Sequence, residues 1–463
     1  MKRYLAVIAS LLGLVMFASP LYAASPTAGG KCTKLGAISI SGGKKYTCQK
    51  SGGKLAWSKG VAVATPKPMS SPSASTASPE PTKESTPKPT PSISISEASV
   101  YRPASDCKLA NKSPNNDVNQ SHDPRSWTLV DPSKPVRALI FSVDFPDLQS
   151  PTSDAPSFNT LKSDFEAYYH AQSNGKLKFV WTVAPKFARM SKNISAYGVG
   201  SRAAGDVWKL NYDIQDLAFQ SYKREDFDFI IGSAPTTTRR EDIASSPAFG
   251  TNSSRYLPAT YLGGDYWSNG SSSTIPTHEF GHFALGLADL YDFDASMLGQ
   301  AGFEKQFQYM GVFDLMNWAG GVGLELTSWN RWIGHLISDQ QMLCLPNSTT
   351  TTLLKPIGSQ SDDVKGLVIP LSNSSSIVIE NRAAVGFDSR LPESAEGILV
   401  YVVDTAIGTG RGPMRIVRKA GSTDNLFKDA LLKNGESLNH AGYSIKVVGA
   451  AGKNLYVEVQ KAS

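Results

Sequence analysis

Cysteine and histidine are both scarce in this chain, four and six among 463 residues. No two cysteines stand in a C-x-x-C spacing, which excludes the common thiolate zinc modules. No EF-hand-like acidic series occurs, and no nucleic-acid-binding module is recognisable. The one long apolar run, Leu5 to Phe17, is shorter than the ~20 residues a membrane span needs. Lys2 and Arg3 precede it and Ser19-Pro20-Leu21-Tyr22-Ala23-Ala24 follows, which is the layout of a secretory signal over residues 1–23. No cysteine follows the run, which argues against a lipoprotein. Leu391-Pro392-Glu393-Ser394 lacks the apolar tail of a wall-sorting signal. The expected product is therefore exported and extracellular, at most loosely associated with the cell wall.

In an exported chain four cysteines suggest two disulfides. Cys32 and Cys48 share one small segment and form the natural local pair, leaving Cys107 and Cys344 to join distant parts of the main region. The other two connectivities are less economical. The net charge of +6 is unevenly placed: residues 24–100 hold ten Lys and three Glu, and residues 101–463 carry −3. The basic arm suits either contact with anionic envelope polymers or simple solvation of a spacer.

Composition divides the chain. Residues 27–59, with Gly-rich turns, Cys32, Cys48 and Trp57, read as a small disulfide-bearing β module. Residues 60–100 are rich in Pro, Ser, Thr and Lys and read as an extended linker. Over 101–348 strands alternate with helices. Strands are expected at 136–143, 177–183 and 227–231, and helices at 157–172, 202–222 and 328–334. From 349 to 463 short alternating strands separated by Gly, Asn and Ser turns predict an all-β, sandwich-like region. The expected fold class is α+β.

The chemistry concentrates in Thr277-His278-Glu279-Phe280-Gly281-His282. Histidines four apart on a helix share one face and can bind one zinc ion, with Glu279 placed as general base for a water. Ile275-Pro276-Thr277 gives a helix lead-in and Gly286 a stop. Asp289 beyond that stop is the leading third ligand, with Asp292 or another acid as the alternative. His122, His170, His335 and His440 have no partner at metal spacing. The pairs Asp292/Asp294 and Asp144/Asp147 are candidates for structural calcium but read first as solvated loop acids.

These pieces resemble the secreted immune inhibitor A-like metallopeptidases over roughly residues 130–450. The matching stretches are Phe145-Pro146-Asp147, Tyr168-Tyr169, Ser173 to Leu177, His278 to Asp292, Phe313-Asp314-Leu315-Met316, Ile379 to Arg382, and Gly386-Phe387-Asp388. The resemblance implies a zincin-type domain over 101–348 with a β-sandwich behind it. It also implies zinc on His278 and His282, Glu279 as base and hydrolysis of peptide bonds in extracellular proteins. Met316 is the candidate for the methionine that floors the site in metzincin-like enzymes. In the family pattern HExxHxxGxxD two residues separate the second histidine from glycine. Here Phe283-Ala284-Leu285 makes three, adding ~100° and 1.5 Å of helix for the turn to absorb. Two further readings stand beside the protease: a hydrolase of cell-envelope peptides, and a non-catalytic surface-binding protein on the same scaffold.

Overall fold

In the computed structural model the described residues are 29–31, 38–41, 44–51, 53–62, 93–114, 118–124, 131, 133–200, 205–244, 248–250, 253–268, 272–296 and 302–462. The expected signal, Cys32 and most of the expected linker lie outside them. The chain divides into two compact units, Met1–Thr90 and Pro91–Ser463. No helix among the described residues is long and apolar enough to cross a membrane.

The first unit is a four-stranded antiparallel sheet: β1 (Ile38–Ser41), β2 (Lys44–Ser51), β3 (Lys54–Trp57) and β4 (Val61–Ala62). Cys48 is buried, disulfide-bonded and paired across the ladder with Trp57. So small a sheet buries little apolar surface, and a covalent tie compensates.

The second unit opens with a mixed sheet and its helices. The elements are β5 (Val136–Asp144), α1 (Asn159–Gln172), β6 (Phe179–Val183), β7 (Ala188–Arg189), α2 (Val207–Ala218), β8 (Phe229–Ser233), β9 (Ala248–Phe249), β10 (Ala259–Leu262), α3 (Gly264–Ser268) and α4 (Thr274–Leu285). The strand order is β6-β5-β8-β10-β9, with β7 also on β5; every pairing is parallel except that of the edge strand β9. Strand β5 reads as a continuous apolar run because both its faces are covered. Leu139, Phe141 and Val143 join the core with Leu210 and Ile214 of α2, while Ala138 and Ile140 face α1 and α4. Helix α2 is shorter than its apolar pattern predicts, because the Asp206 side chain accepts from Lys209 N–H and fixes the start.

Next come α5 (Phe293–Ser296), α6 (Phe303–Gln306) and α7 (Ser328–Ile333), then β11 (Met342–Cys344), β12 (Thr350–Leu354), β13 (Gly366–Pro370), β14 (Ser375–Arg382), β15 (Gly397–Asp404), β16 (Met414–Ile416), β17 (Ser437–His440), β18 (Tyr443–Ala451) and β19 (Asn454–Lys461). They form a five-stranded sheet, β11-β13-β14-β15-β16, and a four-stranded one, β12-β19-β18-β17. Alternate residues of β14 and β15 face opposite ways. Ile377, Ile379, Ile398 and Val400 pack with Ile445, Val447, Val457 and Val459 of the second sheet. Val378, Leu399, Tyr401 and Val403 pack into the same core as Phe280, Phe283 and Met316. The stretches 101–348 and 349–463 thus share one core, and Cys107–Cys344 ties the early part of the second unit to β11 of the five-stranded sheet, with a Cα–Cα distance of 5.6 Å.

Residues 93–100, expected within the linker, lie along β12. Ser96 N–H donates to Thr351 O and Thr351 N–H to Ser96 Oγ, both 2.9 Å. Ile93 packs on Gly449, where an added Cβ would stand 2.2 Å from its Cδ1, while Ile95 stays exposed.

Candidate metal centre

Helix α4 presents the motif. Pro276 falls in its first turn, where a missing N–H costs nothing, and Tyr169 Oη–H of α1 donates to Thr277 O at 2.6 Å. Phe280 and Phe283 anchor the opposite face, Phe280 against Phe165 at 5.1 Å and Phe283 against Phe229 at 5.5 Å between ring centroids. Gly286 ends the helix at φ 69°. Leu287 N–H closes on Gly281 O, six residues back, at 3.0 Å; an ordinary Schellman end closes over five. Beyond that wider turn Asp289 returns to the histidines.

His278 Nε2 and His282 Nε2 stand 3.1 Å apart, and Asp289 Oδ1 lies 3.1 and 3.2 Å from them. All three side chains are buried. The opposite ring nitrogens face backbone carbonyls, His278 Nδ1 to Leu315 O at 2.9 Å and His282 Nδ1 to Leu287 O at 2.7 Å. A carbonyl only accepts, so both Nδ1 atoms carry the proton, and in the neutral rings both Nε2 lone pairs point at each other and at a carboxylate. Three converging acceptors need a shared proton or metal cation. Tetrahedral bonds of ~2.0–2.1 Å place ligand atoms about 3.3 Å apart, close to these separations. The donor set therefore fits zinc, with one corner left open. Among the described residues this is the one group of three His, Cys, Asp or Glu side chains close enough to hold a metal.

In the protein alone, burial opposes protonation of both histidines and Asp289 outweighs it, holding both above the ordinary imidazole value. Burial likewise works against an ionised Asp289, and the two histidines more than offset it, so the carboxyl sits below its usual range. Glu279, half-buried beside His278, does not join the triad. Burial pushes it up to about 8, partly countered by His278, with Asp289 adding to the rise and the Ala248 N–H of β9 opposing it.

Beneath the helix runs the turn 313–317. Met316 is fully buried, and a Cβ added at Gly281 would lie 2.6 Å from its sulfur. Only glycine lets the helix settle this closely on that side chain. Asp314 builds the turn at φ 74°, accepting from Met316 N–H at 2.8 Å, Thr327 N–H at 2.7 Å and Asn330 Nδ2 at 2.9 Å. Leu290 N–H donates to Met316 O at 3.1 Å, so one turn holds both His278 and the segment bearing Asp289.

Asp292 does not reach the triad. Its oxygens accept from Ala295 N–H at 3.1 Å and Gln308 Nε2 at 2.5 Å, which makes it the cap of α5. The other acids weighed for calcium have protein donors as well. Asp144 takes Arg189 and Ser150 N–H, Asp147 takes Ile194 and Ser195 N–H, and Asp294 pairs with Arg411. Sequence reasoning missed Leu315 and Leu287, because a carbonyl acceptor has no residue-type signature, and it missed Asp314 as the residue that shapes the turn. The available clue was the Asp itself, one of the few residue types that adopt the left-handed conformation observed here.

Comparison of the chain with models of known protein families gives no match, and neither does comparison with curated proteins.

Proposed function

We propose that this protein is an exported zinc-dependent endopeptidase with a zincin-type catalytic region, acting on extracellular proteins. The observation that carries the reading is the meeting of His278 Nε2, His282 Nε2 and Asp289 Oδ1 with both Nδ1 protons committed to carbonyls. The resemblance to immune inhibitor A-like peptidases supports it. So do the mixed sheet with its antiparallel edge strand beside α4 and the seat of Met316 under Gly281.

Bound zinc supplies Lewis acidity that makes a water nucleophilic near neutral pH and polarises a carbonyl. The chain does the rest. His278, His282 and Asp289 would hold the ion. Glu279, one residue from a ligand and outside the triad, takes the water's proton and passes it to the departing amine nitrogen.

The experiment is metal content and casein hydrolysis of the purified exported chain. One zinc per chain and chelator-sensitive cleavage are expected. Glu279→Gln keeps its zinc and loses hydrolysis by a factor of about 10²–10⁴, the usual contribution of a general base. Asp289→Ala retains zinc poorly, while Asp292→Ala retains it. Full activity in Glu279→Gln would sink the mechanism. Zinc without proteolysis would turn attention to envelope peptides, for which the basic residues of the first unit are the motive.

A further inference from the structure

The segment bearing Asp289 has no regular secondary structure of its own. Leu290 is held by the turn at Met316, but both backbone polar groups of Asp289 are met from elsewhere, by the loop joining β15 to β16 in the five-stranded sheet. Asp289 N–H donates to Thr409 Oγ1 at 2.9 Å, and Asp289 O accepts from Gly410 N–H at 2.9 Å. Phe293 N–H then donates to Gly410 O at 3.0 Å, and Asp292 faces Arg411 in an antiparallel bridge. Gly410 sits at φ 68° against Phe293, where an added Cβ would fall 2.2 Å from the ring.

The loop itself is tied down at its root. Asp404 N–H donates to Pro413 O and Thr405 N–H to Ser374 O, both 2.8 Å, while Thr405 Oγ1–H donates to Ala110 O at 2.7 Å. It is a short fixed strut projecting from the sheet behind the site.

We infer that this loop is part of the metal centre and that Thr409 is a positioning residue, whose hydroxyl oxygen holds the Asp289 peptide so that its carboxylate meets the two imidazoles. The inference rests on the zinc reading given above. A ligand on an irregular segment keeps its place only if its backbone is held, and partners of this kind typically change metal affinity 10–100-fold. Removing the acceptor leaves a buried N–H without a partner and frees the peptide to rotate.

The test uses the full exported chain and zinc alone, with affinity measured by chelator competition and ligand geometry by the visible spectrum of the cobalt(II)-substituted protein. Thr409→Val, which keeps shape and removes the acceptor, is expected to weaken zinc binding about tenfold or more and to alter the cobalt bands. Thr409→Ser should restore both. Gly410→Ala, which forces the loop off Phe293, should reproduce the loss through a different atom and stands in if Thr409→Val does not fold. Wild-type affinity and an unchanged cobalt spectrum in Thr409→Val and Gly410→Ala would overturn the role of the loop while leaving the zinc reading intact. A wild-type chain that binds no zinc would overturn the zinc reading itself.

Discussion

Gly281 shows how much a single position in the motif decides. In H-E-x-x-H the second variable place tolerates many residues as far as zinc is concerned, yet here it faces the Met316 sulfur at a distance no side chain can share. Replacing Gly281 with Ala adds one methyl to a filled core, and overpacking costs about 1–3 kcal/mol. About 1 kcal/mol of that should return through improved helix propensity. Gly281→Ala is therefore expected to lower the unfolding free energy by up to about 2 kcal/mol, measured by urea denaturation of the zinc-free chain. A variant more stable than wild type by about 1 kcal/mol, the bare propensity gain, would mean that Met316 is not held where it lies. The spacing of His278, Glu279 and His282 was legible because helix periodicity is local. The contact between Gly281 and Met316 spans 35 positions of sequence, and no local rule anticipates it.

Among the elements, the turn at 313–317 does more than its length suggests. It is built on one aspartate in a left-handed conformation, it offers Leu315 O to His278, and it holds Leu290 through Met316 O. Asp314→Ala removes an acceptor shared by two buried backbone N–H groups and the Asn330 amide, and leaves alanine at a φ it disfavours. The expected loss is about 3 kcal/mol or more of stability, with weaker zinc retention because Leu315 O moves. Asp314→Asn tolerates the same backbone and should cost less. A loss below about 1 kcal/mol on denaturant unfolding would refute the turn's role. Helix α4 itself was readable, including its glycine stop. How the chain turns after Gly286 was not, since that depends on Leu287 closing back to Gly281.

At the scale of the whole molecule, a buried ionic cluster joins the α/β part to the β part. Arg331 pairs with Glu325, while Arg382 pairs with Glu380 at 3.0 Å and Asp388 at 2.8 Å, all fully buried. Gln172 donates to Glu325 at 2.7 Å, and Phe387 packs on Tyr168 at 4.8 Å. The short phrases around Tyr168, Glu380 and Phe387 thus meet in one place, which their separation in sequence hides. Breaking one arm of such a cluster strands the other charges.

Lys365 lies fully buried beside this cluster, its ammonium on Ser359 O, and burial pushes it down to about 8, with Arg331 adding to the fall. Between that value and the ordinary lysine range near 10.4 the unfolded chain binds more protons than the folded one. Stability from this group therefore rises with pH across that window. Lys365→Met should be most favoured relative to wild type below pH 8 and lose up to about 3 kcal/mol of that relative advantage by pH 10.5. Urea unfolding of both proteins across the range checks this; a difference independent of pH would contradict it.

Local pattern was enough to place α4 and its histidine pair, the strands β5, β14, β15, β18 and β19, and the small N-terminal sheet, because periods of 3.6 and 2 are written residue by residue. Only the tertiary structure decided that Asp289 meets the histidines while Asp292 caps a helix. The same is true of the two backbone carbonyls that orient the imidazoles, and of the loop from a distant sheet that holds the Asp289 peptide. The physical reason is the same throughout. Each depends on where a backbone N–H or C=O comes to rest, and every residue carries those groups alike.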